Sequence, residues 1–264
     1  MPTFKLLSSL NSNTKLEKSN LIQDTYLNVN MYIQPRNRLI CPFQDEAGCK
    51  EPCLNTAGLG GVYPSVQQSR ARKTDMYLNE YDTFMTLLYK DIDKFVSYCD
   101  KLGKLPAVRL NGTSDIQWEH KKHEGLTVFE KFPDVQFYDY TKIPNRKVSH
   151  IKNYHLTWSY SEASDRYADY FDQVMYNKAV VFNLKKSEPL PKTFKGLEVI
   201  DGDTHDMRFL DKPNKVVGLR AKGKAKTDDS GFVIQPNKIK LVELHKDTLE
   251  LMKQYELEKD LKLA

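Results

Sequence analysis

The chain has 264 residues, 40% of them apolar, with 15 Tyr and 12 Phe, which is enough to bury a sizeable core and too apolar for a disordered segment. Its formal net charge of +5 permits anionic partners without requiring nucleic acid. No apolar run reaches the roughly 20 residues of a membrane span, and the N-terminal MPTFKLLSSLNSNTKLEKSN carries no signal-peptide apolar core, so the expected compartment is cytoplasmic, with thiols reduced.

In chain order, residues 1–30 are rich in Ser, Asn and Lys and predict an arm or a short hairpin. Asn30–Ile40 predicts an extended segment that delivers Cys41. From Ser65 to Cys99 apolar residues recur at helical spacing, including Phe84, Met85, Leu88, Ile92 and Phe95, and Gly103 follows as a C-terminal cap. Six short apolar runs then predict strands: 106–115, 134–141, 153–159, 178–183, 197–203 and 215–223. Between them, 127–132 suits a single turn, and 161–176 suits an amphipathic helix capped by Ser161, with Tyr167, Tyr170, Phe171 and Val174 on one side. A short helix fits 203–210. Strands separated by such crossovers predict parallel βα units, and hence an α/β fold: a partial or complete parallel (β/α) barrel with a Cys-bearing loop after its first strand. One barrel-like domain is expected over 31–235, followed by a helical tail over 236–264 for packing or oligomerisation.

The strands end in polar groups: Arg109 and Asn111; Tyr138 and Asp139; His155, Thr157 and Ser159; Asn183; Asp201 and Asp203; Arg220 and Lys222. In a parallel barrel these ends share one rim, where catalytic groups collect. Strands also end in polar residues simply because loops are wet, but six in succession favour a site. Arg109, Asn111, Asp139, His155, Asp201 and Asp203 are the candidate catalytic residues. Arg70, Arg72, Lys73, Lys224 and Lys226 add cations that suit carboxylates or phosphates, and Trp118, Tyr138, Tyr140 and Trp158 make a nucleotide or nucleic-acid ligand conceivable.

Three of the four cysteines fall in CPFQDEAGCKEPC, with spacing C-x7-C-x3-C. Cys41, Cys49 and Cys53 in a reducing compartment read as metal ligands, with a [4Fe–4S] cluster and zinc as alternatives and a metal-free loop as the third. No histidine stands nearby to complete a zinc site, and Gly48 permits a tight turn in the loop. NTAGLGG follows directly, so Asn55, Gly58, Gly60 and Gly61, together with Arg220 and Lys222, are the candidate cofactor-binding residues. Cys99, in FVSYCDKL, reads as a buried small hydrophobe. In DGDTHD, Asp201, Asp203 and Asp206 around a turn could hold Mg²⁺ or cap a helix. His120 and His123 read as a solvated face rather than a chelate. No phosphate-binding Walker loop, dinucleotide fingerprint or HExxH is present.

The runs CLNTAGLGG, RLNGTSDIQWE, FPDVQFYDYTK, NYHLTWSYSE, VIDGD and VVGLRAKGKAKTDDSGFV resemble the bacteriophage gene product 88 family over roughly residues 30–235. That resemblance implies a phage protein made in the cytoplasm of an infected bacterium. More distantly, Cys41, Cys49 and Cys53 with the glycines of 58–61 are similar to the cluster loop of radical S-adenosylmethionine enzymes, at a wider cysteine spacing than is usual there. This likeness implies a [4Fe–4S] cluster that takes S-adenosylmethionine. The leading expectation is therefore a phage iron–sulfur protein that acts as a radical enzyme on an unknown substrate. The alternatives are a non-catalytic, zinc-stapled protein that binds nucleic acid or a host protein, and a Mg²⁺-dependent nucleotide or phosphoryl enzyme.

Overall fold

The computed structural model describes residues 4–10, 14–22, 24–235 and Glu250. The helical tail expected over 236–264 lies outside the described residues except for Glu250. Helices are α1 (Thr14–Ile22), α2 (Leu59–Val62), α3 (Pro64–Asn79), α4 (Tyr81–Lys101), α5 (Val128–Lys131) and α6 (Asp165–Ala168). Strands are β1 (Tyr26–Asn30), β2 (Leu105–Arg109), β3 (Lys122–His123), β4 (Leu126–Thr127), β5 (Gln136–Thr141), β6 (Tyr154–Ser159), β7 (Lys178–Phe182), β8 (Thr193–Phe194), β9 (Leu197–Asp201), β10 (Val216–Arg220) and β11 (Val233–Ile234). The N-terminal stretch thus supplies a helix and a strand rather than a hairpin.

Nine strands form one sheet in the order β1-β2-β5-β6-β7-β10-β9-β8, with β11 added to β7. Every pairing in it is parallel except the β8–β9 hairpin. The fold is mixed α/β. The sheet ends at β1 and β8 with no pairing between them, so the described residues show no closed barrel. β11 lies on the β6 side of β7: Trp158 and Ser159 of β6 pair with Lys178 and Ala179, whereas Val233 and Ile234 take Val181 and Phe182. The two strands diverge toward the rim and β11 fills the wedge.

Side-chain alternation gives the sheet two different faces. Leu27, Val29, Val108, Phe137 and Leu156 pack on Phe84, Met85, Leu88 and Ile92 of α4. Farther along, Trp158, Val180, Phe182 and Val216 pack with Tyr160, Tyr167, Phe171 and Phe194. Their alternates, Asn28, Asn30, Arg109, Tyr138, His155 and Thr157, make the other face polar. The turn Arg208–Leu210 covers part of it, with Phe209 5.0 Å from the Tyr26 ring and 5.4 Å from Tyr138.

The helix expected over 65–99 is broken in two at Glu80 (φ −137°, ψ 51°). It ends as expected: Gly103 takes φ +63° and Lys104 N–H reaches back to Cys99 O. Cys99 is buried in the core. The amphipathic helix expected over 161–176 is only one turn, α6, followed by a 3₁₀ turn at Asp169–Phe171. Ser164, not Ser161, caps it, because Ser161 Oγ donates to Ala47 O instead. Thr127 and Glu130 close a capping box at α5, and the helix expected over 203–210 is a 3₁₀ turn at Arg208–Leu210.

Candidate functional site

A cavity of about 820 Å³ opens at the C-terminal ends of the parallel strands, the rim where such sheets collect ligands. Its walls come from the loop after β1, from α3, and from the loops after β2, β5 and β10. Apolar side chains such as Leu54, Leu59, Val66, Leu219 and Phe232 line it together with a set of cations.

The cysteine loop forms one wall. Cys41, Cys49 and Cys53 all line the cavity, and none is in a disulfide. The loop is fixed at several points: Ser161 Oγ donates to Ala47 O (2.7 Å) and Ser230 Oγ to Gly48 O (3.0 Å). Gly48 has φ +60°, and a Cβ there would come within 2.7 Å of Ala163 Cβ and 2.8 Å of Ser230 Oγ, so only glycine suits both the turn and the contact. Cys53 Sγ accepts from Asn55 N–H at 3.4 Å. Burial pushes the thiols up, Cys49 to about 11, while Lys142 pulls Cys49 down. Burial and the neighbouring Asp115, Cys53 and Cys49 charges raise Cys41 further, so the three sulfurs feel one another. Among the described residues no three His, Cys, Asp or Glu groups converge tightly enough for a single metal ion.

Of the candidate catalytic residues, Arg109 and Asn111 line the cavity. Arg109 is buried and pairs with Asp206 at 3.2 Å, and its guanidinium lies 4.6 Å from the Tyr140 ring centroid. Asp206 also holds Lys15 at 3.0 Å. Burial would raise the Asp206 carboxyl, but Lys15 and Arg109 overcome it and hold it far below the usual carboxylate range. Asn111 organises the loop after β2: its Oδ1 accepts from Ser114 Oγ, Ile116 N–H and Trp118 Nε1, and its Nδ2 donates to Asp139. Asp139 stands behind it, fully buried, accepting from Asn111 N–H (2.7 Å) and Tyr154 Oη (3.0 Å), with its carboxyl raised to about 7 by burial. Both residues build the wall.

The other three do not line the cavity. His155 lies on the polar face, lowered to about 4 by burial and by Arg208, with Nε2 unpartnered. Asp201 and Asp203 are taken up by Arg220 (3.0 and 3.3 Å), and Asp203 also by Lys222 (2.7 Å). Asp206 faces the opposite way, toward Lys15, so the three aspartates expected to share Mg²⁺ do not converge, and no helix is there for Asp203 to cap. His120 is exposed, while His123 faces Asp82 at 3.2 Å, so the two histidines are apart. Trp118, Tyr138 and Trp158 are core residues rather than stacking platforms. Tyr140 does reach the cavity.

Among the candidate cofactor residues, Gly58, Gly60, Arg220 and Lys222 line the cavity and Asn55 and Gly61 do not. Asn55 is held by Gln67 and Arg70. A Cβ on Gly61 would meet Thr56 O at 2.1 Å, and one on Gly60 would meet Arg70 Nη1 at 2.4 Å. Both glycines therefore serve packing, Gly60 by admitting the Arg70 guanidinium.

Sequence reasoning did not select Lys15, Tyr32 or Lys142 for the site. Lys142 directly follows β5, a strand-end position as promising as the ones that were chosen. Its Nζ donates to Tyr160 O (3.2 Å) and lies 4.2 Å from the Phe232 ring centroid, and burial lowers it to about 8. Lys15 and Tyr32 arrive from α1 and from the coil after β1, and no local pattern marks them.

No helix of the described residues is long and apolar enough to cross a membrane. No curated protein matches the chain, and no solved structure does. The model of the family described as gene product 88 matches residues 5–236, a span that holds the whole nine-stranded sheet, the cysteine loop and every wall of the cavity. By that match the chain belongs to the gene product 88 family.

Proposed function

We propose that the protein holds an iron–sulfur cluster on Cys41, Cys49 and Cys53 and uses the adjoining cavity to bind a small substrate in the cytoplasm of an infected bacterium. The observation that carries this reading is that three free thiols from one anchored loop line a single cavity at the strand-end rim. An all-sulfur donor set suits iron–sulfur chemistry. A cluster spreads its ligands over separate irons, so the thiols need not converge on one point. The sheet, with one polar face and neighbours in nearly sequential order, fits a barrel left open between β1 and β8.

In its finer form the reading is a radical S-adenosylmethionine-like enzyme: a cluster with one open iron would supply reductive cleavage of that cofactor and hydrogen abstraction. The chain's own residues have separate tasks. Lys142, buried against Cys49, offsets the charge of deprotonated thiols. Ser161, Ser230 and Gly48 fix the loop. Asn111 and Asp139 hold the wall after β2, and Leu54, Leu59 and Phe232 give the cavity an apolar lining.

Protein purified without oxygen should be brown and contain iron and acid-labile sulfide. Cys41→Ala, Cys49→Ala and Cys53→Ala should each abolish the absorbance; a variant that keeps it in full would refute that residue's role. One observation favours the zinc-stapled alternative: Leu59, Val62 and Tyr63, beside the loop, are 54%, 69% and 53% exposed, as in a surface that docks a host protein. Colourless protein with one zinc per chain would select that reading.

A further inference from the structure

The wall of the cavity built on α3, which adjoins the loop at Cys53, carries more positive charge than its carboxylates balance. Arg70 and Lys73 stand one turn apart on α3 and repel each other. Arg70 lies 5.2 Å from the Tyr32 ring centroid, and Arg109 and Tyr140 continue the same surface. The single carboxylate of this wall, Asp206, is already shared by Lys15 and Arg109. Among the described residues, Arg70 and Lys73 have no carboxylate within ion-pair distance. Arg70 donates to Asn55 and Lys73 to Leu6 O (2.8 Å), and nearby Asp91 accepts from the backbone of Leu6 and Leu7. Burial lowers Lys73 to about 8, a shift that Asp91 opposes and Arg70 reinforces.

A second observation is independent of charge. Arg109 Nε and Tyr140 Oη are buried with no hydrogen-bond partner, although both residues line the cavity. Buried donors are almost always satisfied, so these two lack an acceptor that a ligand would bring.

We propose that Arg70, Lys73, Arg109 and Tyr140 form a phosphate subsite, which holds the phosphoryl group of a phosphomonoester substrate while its organic part lies against Leu59, Val66 and Leu219. Two cations with no carboxylate at ion-pair distance suit a phosphate dianion, and arginine's planar fork suits phosphate oxygens. The inference rests on this cavity being the substrate site and not on which metal the cysteines hold.

The test is calorimetric titration of the full-length protein with inorganic phosphate, and with acetate in parallel. The expected result is one saturable phosphate site, weakened by salt, with acetate at least ~10-fold weaker. Lys73→Met and Arg70→Gln should each weaken phosphate by ~10-fold or more, and Lys73→Arg should restore most of it, with folding checked by circular dichroism melts. Lys101→Met, exposed at the end of α4 and outside the cavity, should change nothing. Absence of saturable phosphate binding by the folded protein, equal affinity for acetate, or an equal loss in Lys101→Met would overturn the proposal. Metal-free protein that still binds phosphate would refute the cluster and leave this subsite standing; cluster-bearing protein that does not bind phosphate would do the reverse.

Discussion

Replacing Arg146 by methionine tests whether the cavity wall after β2 is held by a buried ion network. The Arg146 side chain is 0% exposed and reaches Glu119 through two bonds of 2.7 and 2.6 Å, Asp115 at 3.4 Å, Ile116 O at 3.1 Å and Tyr154 Oη at 2.9 Å. Its partners are as deep, with the Glu119 and Asp115 side chains only 3% and 7% exposed. Methionine fills similar space but leaves two carboxylates buried without their cation. Breaking a buried pair in this way costs ~3–5 kcal/mol, a large share of a total stability of ~5–15 kcal/mol. The pH dependence has a definite sign. Burial alone would raise Glu119, but Arg146 overcomes it and holds the carboxyl below its ordinary value; in Asp115 burial wins and the carboxyl is raised. Without Arg146 both rise, so the folded variant takes up protons in mild acid and part of its penalty is relieved. Urea unfolding of both proteins at pH 8 and pH 5 should show a loss of about 4 kcal/mol at pH 8 that narrows by ~1 kcal/mol or more at pH 5. A loss under ~1 kcal/mol at pH 8, or a gap that does not narrow, would refute the account.

Gly48→Ala should cost about 1–3 kcal/mol, from a left-handed backbone and a crowded Cβ, and should lower metal content; thermal melts beside metal analysis check both. Asp139→Asn removes a carboxyl whose folded value is raised to about 7 by burial. Its contribution is full below the unfolded value near 3.8 and is lost as pH rises toward 7, so wild-type stability relative to the variant should fall by ~4 kcal/mol across that window. A flat difference curve would contradict the assignment. Thr127→Ala should cost ~1 kcal/mol through loss of the α5 capping box, read as a fall in the urea midpoint with no effect on phosphate binding.

The strands were legible because the parallel strands of a largely buried sheet are short apolar runs, and all six predicted runs became strands. Helices were less so. The aromatic spacing of 161–176 suits a helix, but Ser161 is drawn to Ala47 across the fold and the segment closes as two short turns. In the site, the cysteine loop and Arg109 could be read from local pattern. The pairing of Asp201 and Asp203 with Arg220 and Lys222 was not legible, because it arises only through the adjacency of β9 and β10, which no local spacing encodes. Lys15 and Tyr32 were invisible for the same reason: long-range packing alone brings them to the wall.

The wedge strand β11 bears on how the chain is made. Val233 and Ile234 enter the sheet at its middle, between β6 and β7, not at an edge. A nascent chain emerging N-terminus first at ~5–20 residues per second thus exposes the upper part of β7 well before its last neighbour is synthesised. Until then Val181 and Phe182 present unpaired backbone to any extended segment nearby. A chain stalled once Phe232 has left the ribosome but Val233 has not would display nearly the whole sheet with an open seam beside the cysteine loop, and such stalled chains should be captured by holding chaperones until β11 arrives.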